Sequence, residues 1–302
     1  MCEASDGGPS VWRRIVVTGA NKGIGLAICR KLLTEAEDTF VYLGARDQNR
    51  GDAAAKTLVE ANPVWGGRVA VLLVDVTNAA SVQSAAATLR VAGVTLFGVV
   101  NNAGGFLPFR EMLQLHLYGA RRVTEALAGM LEDRGRLVYI SSGGAPACAA
   151  KCREDRRALL SSPDLTWEQI DGLARDVLVA LEALPGDADD SSVLAATGVA
   201  WGLGGYGFSK ALVNCYAAWV QRDYPGLIVN ACNPGLIDTD LSRPYAVQSG
   251  KTPAELGMLP VEQGAVVPCK LLLEEVAGRG AYYDRDGTLC GFADVDPNDF
   301  ES

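Results

Sequence analysis

The sequence predicts an α/β fold, a doubly wound parallel sheet in a single domain, with a helical insertion ahead of residue 206. Three observations carry this prediction. Apolar runs of strand length alternate with stretches of helical periodicity from Arg13 to Ser142, and the alternation resumes after the insertion. The runs are continuous in Val, Ile and Leu, as a sheet covered on both faces requires. A glycine-rich turn, from Gly19 to Gly25, joins the first run to the first helical stretch.

Taken in order, Arg13–Gly19 reads as a strand, Gly23–Ala36 as a helix and Thr39–Ala45 as a strand. Gly51–Ala61 is a helix, Arg68–Asp75 a strand, Ala79–Leu89 a helix and Leu96–Ala103 a strand. Phe109–Leu131 is a long helix and Arg136–Ser142 a strand. The stretch 143–205 then breaks the rhythm. It holds one amphipathic helix, Thr166–Leu184, followed by a polar turn. A helix at Gly207–Gln221, a strand at Leu227–Cys232, a helix at Val261–Val276 and a last strand near Ala281–Asp284 complete the pattern. Residues 12–293 form one domain with the insertion 143–205; residues 1–11 and 294–302 read as loose tails.

The chain has 302 residues, 49% of them hydrophobic, and a net charge of -9. An acidic surface repels phosphate backbones, which argues against nucleic acid and anionic membrane as partners. The first residues have neither a basic nor an apolar segment of the secretory kind, and no apolar run is long enough to span a bilayer. The eight cysteines are scattered, without a Cys-x-x-Cys pair, and a single histidine excludes a Cys/His zinc cluster. Cytoplasmic, reduced thiols and no metal are the expectation. Cys148 and Cys152, four apart, are a weak signal by themselves.

The turn Thr18-Gly19-Ala20-Asn21-Lys22-Gly23-Ile24-Gly25 follows a strand and opens a helix. Glycines there let the backbone approach a pyrophosphate, and the helix N-terminus supplies free N–H groups. At the end of the second strand, Arg46 suits a ribose 2′-phosphate, with Lys22 as a second cation, whereas Asp47 could bind a 2′-hydroxyl. The balance favours NADP(H). The third strand ends in Asp75-Val76, where Asp75 could bind an adenine amine or cap the next helix, or leave that to Thr77. The fourth ends in Asn101-Asn102-Ala103-Gly104, whose amides can tie strand ends together and whose small residues leave room for a cofactor.

Tyr206 and Lys210, four apart on one helix, share a face. At ~4 Å and an effective dielectric of ~20 their attraction is about 4 kcal/mol, enough to bring a phenol of pKa ~10 toward working pH. With Thr18-Gly19-x-x-x-Gly23-x-Gly25, Asn101-Asn102-Ala103-Gly104, Ser141-Ser142 and Asn233-Pro234-Gly235, this pair resembles the short-chain dehydrogenase/reductase family, from Arg13 to about Cys290. The run Thr18 to Ile28, Ala45-Arg46-Asp47, Trp201, Asn230-Ala231-Cys232 and the long insertion are similar to its monomeric NADPH-dependent carbonyl reductase subgroup.

The resemblance implies a Rossmann fold and an NADP(H)-dependent oxidoreductase. It implies that Tyr206 protonates a carbonyl oxygen as hydride arrives, that Ser142 hydrogen-bonds that oxygen, and that Lys210 lowers the tyrosine pKa and holds the nicotinamide ribose. Ser141 is structural on this reading. The implied cofactor contacts are Gly19, Asn21, Lys22, Gly23, Ile24, Gly25, Arg46, Asp75, Val76, Asn102, Ala103, Gly104, Tyr206, Lys210, Pro234, Gly235, Ile237 and Thr239. Leu236, Ile237 and Trp201 are candidates for an apolar substrate wall.

Two departures stand out. His116 occupies the place where the family carries an Asn that anchors a proton-relay water, so it is a catalytic candidate or a histidine packed in its helix. The loop between Gly104 and His116 is short, which predicts an open cleft. The implied activity is reduction of ketones, aldehydes or quinone-like carbonyls. The alternatives are oxidation of a secondary alcohol in a biosynthetic pathway and an NADP(H)-binding regulatory protein without turnover. Because the insertion would cover the helix through which family members pair, a monomer is expected.

Overall fold

The continuous apolar runs become parallel strands because both of their faces are covered. In the computed structural model, which describes residues 12–186 and 188–290, the strands are β1 (Arg13–Val17), β2 (Thr39–Ala45), β3 (Val69–Leu73), β4 (Leu96–Asn101), β5 (Leu131–Ile140), β6 (Ile228–Cys232), β7 (Ala281–Tyr283) and β8 (Leu289–Cys290). They form one sheet in the order β3-β2-β1-β4-β5-β6-β7-β8, parallel throughout except for β8 at the edge. Side chains alternate between two apolar layers. Ile15, Val17 and Val100 pack on one side, and Val16 and Val99 on the other.

The first layer is covered by α1 (Gly23–Glu35), α2 (Gln48–Ala61), α11 (Val261–Gly264) and α12 (Val266–Leu273). The second is covered by α3 (Ala79–Val91), α4 (Phe109–Leu127) and α9 (Tyr206–Asp223). The strand order reverses between β1 and β4, and open sheets of this kind bind ligands beyond the strand ends at such a point. Among the described residues no helix is long and apolar enough to cross a membrane.

The stretch 143–205 carries four helices where the periodicity predicts one. These are α5 (Gly144–Lys151), α6 (Glu154–Leu160), α7 (Trp167–Glu182) and α8 (Asp190–Thr197). α7 matches the expected amphipathic helix. Thr166 caps it, and Gln169 closes a capping box. Its Trp167 lies against Tyr216 and Trp219 of α9, with ring centroids 5.7 and 6.4 Å apart. The insertion therefore lies on the outer face of α9. α10 (Arg243–Ser249) follows β6.

Other boundaries differ for identifiable reasons. The single helix expected over 261–276 is two, because Pro268 tolerates only the first turn of a helix and its ring would clash with the carbonyl of Gly264. The helix expected to reach Leu131 ends at Leu127. Leu131 instead starts β5, already paired with Leu96, and the register shifts before Gly98 meets Arg136. The expected tails 1–11 and 294–302 lie outside the described residues.

Candidate active site

The site lies where β1, β4 and β5 end and α1 and α9 begin. Gly19 and Gly23 have φ of +62° and +57°, so the turn between β1 and α1 uses the left-handed region that glycine alone enters freely. A β-carbon at Gly25 would lie 2.5 Å from the Asn102 amide nitrogen and 2.7 Å from the Gly19 carbonyl, so the turn tolerates no side chain there. Asn102 Nδ2 donates to the carbonyls of Thr18 at 2.8 Å and Gly19 at 3.2 Å, which ties β4 to the turn. The N-terminus of α1 has no side-chain cap and no acidic residue in its first turn. Its N–H groups therefore remain open to an anion. Asn21 is half-buried within the turn.

The other predicted contacts fall around this cradle. Ile24 and Ile237 meet over Gly264, where a β-carbon would lie 3.1 and 3.0 Å from them. Thr239 sits beside Gly23, its methyl 3.7 Å from a β-carbon placed there. Pro234 and Gly235 follow β6 in a turn held by Asn233, which accepts the Gly235 N–H at 2.9 Å and donates to Asp284 at 2.8 Å. Lys22 is exposed and pairs with Asp240 at 2.8 Å. Arg46 is exposed beyond β2, whereas Asp47 caps α2 by accepting the Arg50 N–H. Asp75 accepts the Thr77 N–H and hydroxyl, and Asn78 caps α3. Val76 is buried against Gly119. Ala103 backs Gly19, where a β-carbon would lie 2.9 Å from it.

Tyr206, Lys210 and Ser142 lie at the same end of the sheet, around the start of α9. The Ser142 hydroxyl lies near the Tyr206 phenol, where it lowers the phenol's pKa, and accepts the Gly144 N–H at 3.1 Å. Lys210 is buried and donates to the Ile140 carbonyl at 2.9 Å, with Nζ 5.9 Å from the Tyr206 ring centre. A β-carbon at Gly104 would lie 3.5 Å from His116 Nε2 and 3.7 Å from Lys210 Nζ, which places Gly104 beside both. Ser141 is buried, its hydroxyl 3.4 Å from the Lys210 carbonyl.

The electrostatics differ from the expectation. Burial pushes the Tyr206 phenol up to about 12, partly offset by the Ser142 hydroxyl nearby. Burial also pushes Lys210 down to about 8, with Cys232 acting weakly the other way. Each group is driven toward its neutral form, because desolvation penalises charge. A spacing of four places Nζ on the right face, but it binds Ile140 rather than the phenol. At neutral pH the phenol is protonated and the lysine is largely cationic.

His116 is buried and bonded at both ring nitrogens. Nε2 accepts the Gly105 N–H at 3.1 Å, so it carries no proton. Nδ1 must then donate to Ser209 Oγ at 2.9 Å, and Ser209 donates to the Tyr206 carbonyl at 2.7 Å. Burial and then the Lys210 charge hold the imidazole well below its ordinary pKa, in the neutral form this chain of bonds requires.

Four residues near the site have no sequence signal. Phe106 stacks on Tyr206 with centroids 5.5 Å apart, and Tyr282 donates to the Ser142 carbonyl at 3.2 Å. Ser209 and Ile140 are the partners already described. All four depend on contacts between distant segments, which no periodicity reveals. Trp201, expected on the substrate side, packs edge-on against Phe109 at 4.8 Å.

Residues 13–152 match the family described as short chain dehydrogenase. Over that stretch the chain resembles the short-chain dehydrogenase/reductase family, and it is an enzyme. It is 29% identical to short-chain dehydrogenase/reductase 1 of Saponaria officinalis, over 91% of this chain and 94% of that one. It is 28% identical to carbonyl reductase [NADPH] 1 of Mus musculus, over 81% of this chain and 90% of that one. Among solved structures, salutaridine reductase from Papaver somniferum superposes with a TM-score of 0.75 at 24% identity, over 90% of this chain and 99% of that one. The NADPH-bound carbonyl reductase from chicken fatty liver gives 0.62 at 20% identity, over 93% and 99%. These two likenesses concern the fold.

Proposed function

We propose that this enzyme is an NADPH-dependent carbonyl reductase, acting as a monomer on apolar ketones, aldehydes or quinone-like carbonyls, with Tyr206 as general acid. The observation that carries the reading is the state of Tyr206: a phenol held protonated by burial, with Ser142 beside it and Lys210 on the same helix.

The residues present fit a dinucleotide. The turn from Gly19 to Gly25 excludes side chains where a pyrophosphate would approach, and the uncapped α1 N-terminus offers its N–H groups. Gly19, Asn21, Gly23, Ile24 and Gly25 would hold the pyrophosphate. Arg46 and Lys22 would hold a 2′-phosphate, since Asp47 is committed to capping α2. Asp75 and Val76 would border the adenine, and Asn102, Ala103 and Gly104 the ribose. Pro234, Gly235, Ile237 and Thr239 would line the far side. When bound, the reduced nicotinamide supplies hydride to the carbonyl carbon.

The remaining steps belong to the chain. Ser142 and Tyr206 orient the substrate oxygen by hydrogen bonds. Tyr206 transfers its phenolic proton to that oxygen, and the Lys210 ammonium stabilises the phenolate left behind. His116 holds the start of α9 without exchanging protons with substrate, since both its ring nitrogens are occupied.

Apolar substrates follow from the bordering segments. Phe106 and Leu107 after β4, Leu203 before α9, and Leu236 and Tyr245 after β6 all expose apolar surface. Oxidation of an alcohol would begin from the phenolate, which burial disfavours, so reduction is the favoured direction. A panel of apolar and charged carbonyls assayed with NADPH and NADH tests the proposal. Faster turnover of apolar carbonyls with NADPH supports it, and a preference for alcohols with the oxidised cofactor overturns it.

A further inference from the structure

We propose that Cys148 and Cys152 are a redox-active dithiol that closes to an intramolecular disulfide under peroxide and loosens the segment at Ala200 and Trp201 that leads into the Tyr206 helix. The two sulfurs lie 4.0 Å apart at the C-terminal end of α5. Residues four apart on a helix have Cα atoms roughly 6 Å apart, within the span of about 4.4–6.8 Å that a disulfide bridges. Cys152 has already left the helix, with extended backbone at φ -69° and ψ 157°. Its side chain can therefore swing toward Cys148 without unwinding the turn before it.

The two thiols clasp one residue. Cys148 Sγ donates to the Ala200 carbonyl at 3.2 Å, and Cys152 Sγ accepts the Ala200 N–H at 3.4 Å. Ala200 leads directly to Trp201, whose ring fills the space in front of Gly205, where a β-carbon would lie 2.7 Å from it. Gly205 N-caps the helix that begins with Tyr206. Cys148 also presses on that helix, its β-carbon 2.9 Å from one placed at Gly207. Forming the disulfide removes the Cys148 S–H, so the Ala200 carbonyl loses its donor.

The two sulfurs are unequal. Cys148 beside it, then the Ala200 N–H and the Arg156 guanidinium, hold the Cys152 thiol below its ordinary range. Cys152 is thus the attacking sulfur. Both residues are buried, so the oxidant has to be as small as hydrogen peroxide. The Cys152 thiolate attacks one peroxide oxygen, the O–O bond breaks, and the departing hydroxide takes up the thiol proton as water. Cys148 then attacks the sulfenic sulfur, the S–O bond breaks, and the second hydroxide leaves with the Cys148 proton. Two thiols are oxidised by two electrons, and one peroxide is reduced to two waters.

The proposal stands apart from the carbonyl reductase reading, and its test does not use activity. The full chain is treated with hydrogen peroxide and followed by peptide mass spectrometry and hydrogen exchange. The expected result is loss of two hydrogens, a bond linking residues 148 and 152, and amide exchange over 199–205 faster by roughly 5- to 10-fold, the equivalent of about one lost hydrogen bond. Dithiothreitol should reverse both changes, and Cys152→Ser or Cys148→Ser should abolish both. A chain that keeps all eight thiols overturns the proposal, as does a linkage through any other cysteine. A 148–152 bond with unchanged exchange overturns the coupling to Ala200.

Discussion

Asp47 accepts the backbone N–H of Arg50 at 2.9 Å and so caps α2, while Arg46 beside it stays exposed, without an ion-pair partner among the described residues. The two residues therefore have separable tasks. Arg46→Ala should raise the KM for NADPH by roughly 10- to 100-fold, the worth of a charge-assisted hydrogen bond of about 1.5–3 kcal/mol. The KM for NADH should stay unchanged. Asp47→Ala should instead cost about 0.5–2 kcal/mol of stability in chemical denaturation, with little change in cofactor preference. If Asp47→Ala altered the NADH constant and Arg46→Ala did nothing, the cofactor assignment would be reversed.

Tyr206→Phe removes the proton and keeps the ring that stacks on Phe106. Steady-state rates with NADPH should fall by ~10²–10⁴-fold, the usual range for a positioned general acid. Circular dichroism and thermal unfolding should match the wild type, because packing is conserved. A variant that retained more than a third of wild-type turnover would remove Tyr206 from the chemistry.

The pH profile separates the two ionisations. Tyr206, pushed up to about 12, stays protonated across the working range. Lys210, pushed down to about 8, is an ammonium below that pH and loses its proton as the pH rises through it. In the proposed mechanism its charge stabilises the phenolate formed on proton transfer, so kcat/KM for reduction should be level at neutral pH and fall with a midpoint near pH 8. An activity that persists to pH ~10, where a free lysine titrates, would show that Lys210 does not govern the rate.

The architecture was legible where one element is enough to create a pattern. Val16, Val99 and Val138 belong to runs that need cover on both faces, and the turn from Gly19 to Gly25 announces its own geometry. α5, α6 and α8 were not legible, because such short helices are held by what they press against. Gly207 against Gly144 and Cys148 is one such contact. The shared face of Tyr206 and Lys210 could be read from spacing, whereas Ser142 came only with the family resemblance. The direction of their pKa shifts could not, since it depends on burial and on the Ile140 carbonyl that captures Nζ. Phe106 carried no mark at all, for a stacked ring leaves no trace in spacing.

His116 gives the sharpest test of positioning. Its imidazole spans the gap between the Gly105 N–H and Ser209 Oγ, and Ser209 in turn bonds the Tyr206 carbonyl. An asparagine is too short to reach both. His116→Asn should leave one buried group unpaired and lower stability by about 1–3 kcal/mol. Because the loop at Gly105 and the start of α9 lose their common tie, kcat/KM should fall while the alkaline midpoint near pH 8 stays with Lys210. Burial and the Lys210 charge hold the imidazole neutral throughout the range where a free histidine titrates, so no acidic limb there should belong to it in the wild type. Unchanged stability with higher kcat in the asparagine variant would show instead that residue 116 serves the proton path directly.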